Sequence, residues 1–180
     1  MQITNNQLVE SWHPYSYYIA NRTYMKKYAK ATWNGSGFEG NGTIDLQSQT
    51  LVNALYTFNS RFNTVNGTNS EELLAAAHAS DFTMKLSFIL TEAGYMPQEL
   101  ITTCYINFDK GELTSSTLDL IANVAGITPD LFNEYVKEAN EFCPITRILN
   151  LKILIRAKLL TVANVSSEIN EFNLKQANYD

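Results

Sequence analysis

Asp81 and Lys85 are the only formally charged side chains between Leu73 and Leu90, and His78 stands three residues before the aspartate. On a helix, positions three and four apart share a face, and an acid placed N-terminal to a base is the favoured order for an i,i+4 ion pair. A lone carboxylate buried in such an apolar run would cost several kcal/mol or take up a proton. The spacing therefore predicts a neutralised pair between Asp81 and Lys85. The alternative is a carboxylate on an accessible pocket wall with Lys85 incidental. A pair between Asp81 and His78 is also within reach, although a histidine with no second ligand is more often a packed helix residue than a base. Cys104 and Cys143 supply the soft nucleophiles, which react as thiolates. Cys104 alternates with apolar neighbours and reads as a small buried hydrophobe. Arg61 and Glu71 complete the set, the first readable as an exposed strand cation and the second as a dipole-stabilising acid.

Several chemistries are excluded at the outset. Two cysteines and two histidines (His13 and His78) make neither a disulfide scaffold nor a zinc cage, so no metal site is expected. There is no Gly-rich dinucleotide loop and no phosphate loop, so no cofactor is expected. No serine, threonine or cysteine has a spacing that demands a hydrolase triad, although acid–base or hydrolytic chemistry centred on Asp81 is a formal alternative. The 180 residues are 45% hydrophobic and 17% charged, enough to bury one real core. A net charge of −5 argues against a broad nucleic-acid face. No apolar stretch is long enough to span a bilayer, and the first thirty residues lack the apolar segment of a secretory signal. A cytoplasmic protein with reduced thiols is expected.

The chain divides into three. Residues 1–27 form an N-terminal arm crowded with Trp12, Tyr15, Tyr17, Tyr18 and Tyr24, rings that would seek a partner surface on their own domain or on a second subunit. Residues 28–160 carry the periodic elements, and residues 161–180 form a polar tail. In the middle segment, alternation around Ala29, Ala31 and Trp33, turns at Asn34–Gly37 and Gly40–Gly42, and runs at 43–46 and 55–58 predict an antiparallel meander. Asn69 caps a helix of residues 70–93, with Glu72 at the capping-box position and Gly94 as its stop. That helix is apolar nearly all round, which predicts burial. Strands follow around Cys104–Phe108 and Leu118–Val124. Thr128-Pro129 opens a second helix that ends at Cys143-Pro144, where a further helical turn runs on to Leu149. A last strand covers 151–159. The order βββ-α-ββ-α-β predicts an α+β fold, with curved antiparallel sheets around a long buried central helix.

Two stretches carry a family pattern. Tyr56–Phe62 followed by Gly67-Thr68-Asn69-Ser70-Glu71-Glu72-Leu73-Leu74-Ala75-Ala76-Ala77-His78-Ala79 resembles the signature of the OsmC/Ohr family, the osmotically inducible proteins and organic hydroperoxide reductases. Cys143-Pro144-Ile145-Thr146-Arg147 resembles its second signature, and His78 is closer to the OsmC branch. The resemblance spans about residues 28–160. It implies an OsmC-like fold, a tightly interlocked homodimer, and an interface site that receives an organic hydroperoxide or another small hydrophobic ligand. In active members a peroxidatic cysteine on the central helix attacks the peroxide, and the Cys-Pro cysteine resolves the product as a disulfide. An Arg and a Glu hold the thiolate. By position, the resemblance assigns the resolving role to Cys143, the Glu role to Glu71 and the Arg role to Arg61, with His78 and Lys85 in the pocket. At the peroxidatic position this chain has Asp81, and Lys85 replaces a small residue. A carboxylate is a hard, weak nucleophile with no oxidation ladder leading to a disulfide. The resemblance therefore implies a stress-response protein with lost or altered peroxidase activity. The competing readings are a working reductase that uses Cys143 with another thiol, and the Asp81-based enzyme.

Overall fold

The structure, a computed structural model, describes residues 24–62 and 66–160. Most of the aromatic arm and all of the polar tail lie outside the described residues.

Strands β1 (Ala29–Asn34), β2 (Asn41–Leu46) and β3 (Ala54–Thr57) form one antiparallel sheet in that order. The predicted meander is present. Gly42, however, lies within β2 rather than in a turn. It stands opposite both Trp33 and Tyr56, whose rings meet with centroids 5.2 Å apart. A Cβ at Gly42 would lie 2.5 Å from the Tyr56 ring, so the glycine makes room for that contact. A 3₁₀ turn at Asn59–Arg61 then leads toward the central helix α1 (Ser70–Glu92).

Helix α1 starts and stops as its sequence dictates. The Asn69 side chain accepts from the Glu72 amide at 2.8 Å, one half of the expected capping box. The Glu72 carboxylate takes the Thr68 hydroxyl at 2.9 Å. At the far end Gly94 adopts φ +87°, and the Tyr95 and Gly94 amides bond back to Leu90 and Thr91, a Schellman stop.

The second sheet contains β4 (Pro97–Asp109), β5 (Glu112–Val124) and β6 (Lys152–Leu159), in the order β4-β5-β6. The first pair is antiparallel and the second parallel. A parallel neighbour needs a crossover, and helices α2 (Pro129–Phe142) and α3 (Pro144–Ile148) provide it. Strand β4 begins well before Cys104, further back than the alternation alone suggested. Phe82, Leu86 and Leu90 of α1, Leu118 and Leu120 of β5, and Phe132 of α2 are almost completely buried together.

Burial of α1 is one-sided. His78, Phe82, Leu86, Ile89 and Leu90 face the core, whereas Ala76, Ala77, Ser80 and Met84 are exposed, Met84 by 54%. The helix predicted to be buried all round is so only along the face that the second sheet and α2 cover.

Candidate functional site

Arg61 and Glu71 come together across the turn that precedes α1. The guanidinium holds both carboxylate oxygens, through Nη2 to Oε1 and through Nε to Oε2 at 3.3 Å. It also lies over the Phe108 ring, 5.0 Å from the centroid, and the Phe62 ring at 5.7 Å. The fork is positioned by buried Ser60, whose single hydroxyl proton lies between the Thr57 and Thr68 carbonyls, at oxygen–oxygen distances of 2.9 and 2.8 Å. Asn69 Nδ2 donates to the Ser60 carbonyl at 2.9 Å and so ties the 3₁₀ turn to the helix cap. Hydrogen bonding to Glu71 raises the Arg61 pKa further above its ordinary value. Burial pushes Glu71 up, but the Arg61 hydrogen bond and charge outweigh it, and the net shift is downward.

Asp81 meets the α2–α3 corner. Cys143 is completely buried, and its thiol donates to Asp81 Oδ2 at 3.1 Å. The Ile145 amide donates to the same oxygen, also at 3.1 Å. Pro144 restricts the preceding residue to an extended backbone, and Cys143 adopts φ −69°, ψ 118°. From that conformation Cys143 caps α3, its sulfur accepting from the Thr146 amide at 3.5 Å. The Lys85 ammonium lies over the Phe142 ring, 5.8 Å from the centroid, at the same corner. Burial pushes the Cys143 thiol up. The Thr146 contacts pull it back, and Asp81 pushes it up again, for a net shift above the usual thiol value.

His78 is fully buried one turn earlier. Its Nδ1 is 2.7 Å from Ser116 Oγ and its Nε2 is 2.9 Å from Thr146 Oγ1. Both ring nitrogens are thus taken by hydroxyls, and the hydrogen-bonded pair with Asp81 does not form. Asp81 still raises the imidazole's proton affinity through space, but burial dominates and lowers its pKa. Cys104, half-buried on β4, places its sulfur 3.2 Å from Ser116 Oγ and 3.9 Å from His78 Nδ1. Burial raises its pKa as well, with the Ser116 hydrogen bond pulling the other way. Both cysteines are free.

A cavity of about 360 Å³ opens on the first sheet, lined by Trp33, Ile44, Tyr56, Phe58 and Leu73, with Arg61 among its walls. Asp81 and Cys143 are not in its lining. Among the described residues no cluster of three or more His, Cys, Asp or Glu side chains could hold a metal ion. No described helix is long and apolar enough to cross a membrane. Nothing in the sequence sets Ser60 or Ser116 apart from neighbouring hydroxyl residues, and Ile145 and Thr146 are visible only as members of the Cys-Pro stretch.

The family described as OsmC-like protein matches residues 63–158. The peroxiredoxin OsmC of Escherichia coli strain K12 is 36% identical over 139 residues, covering 75% of this chain and 97% of that protein. The chain belongs to the OsmC family. Among solved structures, an OsmC-like protein of unknown function from Vibrio cholerae superposes with a TM-score of 0.61 at 15% identity, covering 75% of this chain and all of that one. The organic hydroperoxide resistance protein OhrB of Bacillus subtilis superposes with a TM-score of 0.53 at 24% identity, covering 73% and 98%. These structural likenesses establish that this member has the OsmC/Ohr-like α+β fold.

Proposed function

We propose that this OsmC-family chain is a cytoplasmic, homodimeric stress-response protein whose thiol-dependent hydroperoxide reductase chemistry is lost or altered, with Asp81 in the peroxidatic position. The observation that carries the reading is the hydrogen bond from the Cys143 thiol to Asp81 Oδ2. A two-thiol cycle needs sulfur on both sides of that contact, one to take oxygen from the peroxide and one to close the disulfide. Here one side is a carboxylate, and burial, with a smaller push from that carboxylate, keeps the remaining thiol protonated. The Arg61–Glu71 fork, made of the two residues that the resemblance assigns to holding a thiolate, supports descent from that chemistry. The dimer would bring a small hydrophobic ligand to the interface.

A working reductase based on Cys143 has less support, because Cys104 is engaged by Ser116 and not by Cys143. Hydrolysis at Asp81 has less support too, because Oδ2 already accepts two hydrogen bonds.

The test is consumption of an alkyl hydroperoxide by purified protein with dithiothreitol or lipoamide as reductant. No turnover is expected in the parent, and turnover is expected in Asp81→Cys combined with Lys85→Ala. Parent turnover that Cys143→Ser abolishes would overturn the proposal. So would a folded double variant that leaves the peroxide untouched.

A further inference from the structure

The polar groups around buried His78 and Ser116, with half-buried Cys104, Thr146 and Asn140, fix one another's proton positions. Thr146 Oγ1 lies 3.4 Å from Asn140 Oδ1, a carbonyl-type oxygen that only accepts. The Thr146 hydroxyl proton therefore points to Asn140, and the hydroxyl oxygen must receive its 2.9 Å bond from His78 Nε2. A neutral imidazole has a single N–H, and burial keeps this one neutral. With the proton on Nε2, Nδ1 is left as an acceptor, and the 2.7 Å contact is the Ser116 hydroxyl donating to it. Ser116 has then spent its only proton, so its 3.2 Å contact with Cys104 must be the thiol donating to the oxygen. The direction is uniform along these contacts, and the longer 3.9 Å approach of the Cys104 sulfur to His78 Nδ1 meets the accepting side of the ring.

We propose that His78 is the positioning residue of the Cys143 corner, held as the Nε2–H tautomer in a one-way chain of hydrogen bonds from Cys104 through Ser116, His78 and Thr146 to Asn140. The chain joins β4, β5, α1, α3 and α2, so the orientation of Thr146 is set from the core rather than by its own five-residue helix. Thr146 matters because its amide points at Cys143 Sγ. The imidazole touches neither Cys143 nor Asp81 by a hydrogen bond and acts on the thiol through Thr146. This holds whether or not peroxide turnover survives, so peroxide consumption is not among its readouts.

The full chain labelled with nitrogen-15 on histidine gives the first test. The buried imidazole should show a pyrrole-type Nε2 and a pyridine-type Nδ1. The reverse tautomer, or a doubly protonated ring at neutral pH, overturns the proposal. The second test is the infrared S–H stretch of Cys143, read in a Cys104→Ser background so that one thiol remains. His78→Phe should shift that band, and His78→Gln, which keeps a donor and an acceptor, should return it toward the parent. Should the phenylalanine variant fail to fold, Thr146→Val removes the intermediary alone and should shift the band in the same way. A band unmoved in folded His78→Phe or Thr146→Val protein overturns the positioning role.

Discussion

Cys143 Sγ and Asp81 Oδ2 lie 3.1 Å apart, the thiol donating and the carboxylate accepting, although 62 positions separate them in the chain. The same oxygen takes the Ile145 amide, so Asp81 anchors the first turn of α3 to the central helix. This relationship adds to the upward push of burial on the thiol and ties down the corner that carries it.

Asp81→Asn retains the shape of the side chain and an acceptor for Ile145 but removes the charge. Because Asp81 is one of the groups that push the Cys143 thiol up, its thiolate should form at lower pH in the variant than in the parent. Ultraviolet thiolate absorbance, titrated in a Cys104→Ser background, measures this directly. A midpoint that stays put or rises would contradict the assignment of the carboxylate as a charged acceptor.

Stability should fall on both sides of neutrality. The His78 pKa is lowered, so its contribution is complete above the unfolded value of about 6.5 and is lost as pH falls through the folded value. Glu71, also lowered, adds a loss below about pH 4.3. The Cys104 and Cys143 pKa values are raised, so their contribution is complete below about pH 8.5 and is lost as pH climbs through the folded values. Urea unfolding across the pH range should show a plateau between these limits. Replacing His78 with Gln should flatten the first part of the acid limb.

The Arg61–Glu71 fork links the 3₁₀ turn to the first turn of α1. Arg61→Ala should destabilise the fold by about 1 kcal/mol, below the usual range for a charge-assisted hydrogen bond, because the Arg61 side chain is 35% exposed and the pair is partly screened. Glu71→Gln in the Arg61→Ala background should cost much less than in the parent. Additive losses in a double-mutant cycle would show that the two residues act independently.

Local signals were legible in the sequence wherever neighbours along the chain create them. The Asn69 cap, the Gly94 stop, the Thr128-Pro129 start and the hydrophobic row of β5 all follow from spacing, and each is present. The family motif also marks Arg61 and Glu71 as site residues, although not that they bind each other. Periodicity does not reveal what crosses between elements. Spacing within α1 offers Lys85 and His78 as neighbours of Asp81. It does not reveal that one carboxylate oxygen takes hydrogen bonds from the α2–α3 corner, or that the His78 ring turns to hydroxyls on β5 and α3. Ser116 shows the difficulty plainly. In sequence it is one hydroxyl in a run of them, and only the β4–β5–α1 packing makes it the partner of a buried imidazole.

The exposed side of α1 bears on assembly. Ala76, Ser80 and Met84 lie at successive four-residue steps along it and line a groove of about 700 Å³ against the start of β4. Small residues there would let a second helix approach closely, and Met84 is the large apolar side chain left in water. Burying a methionine contributes about 1.5–3 kcal/mol, so placing a charge there should weaken a dimer formed through this face by roughly tenfold to a hundredfold. Sedimentation should find the parent at twice the chain mass and Met84→Glu shifted toward the monomer at the same concentration. A monomeric parent, or a variant that dimerises with unchanged affinity, would show that this face is not where two copies meet.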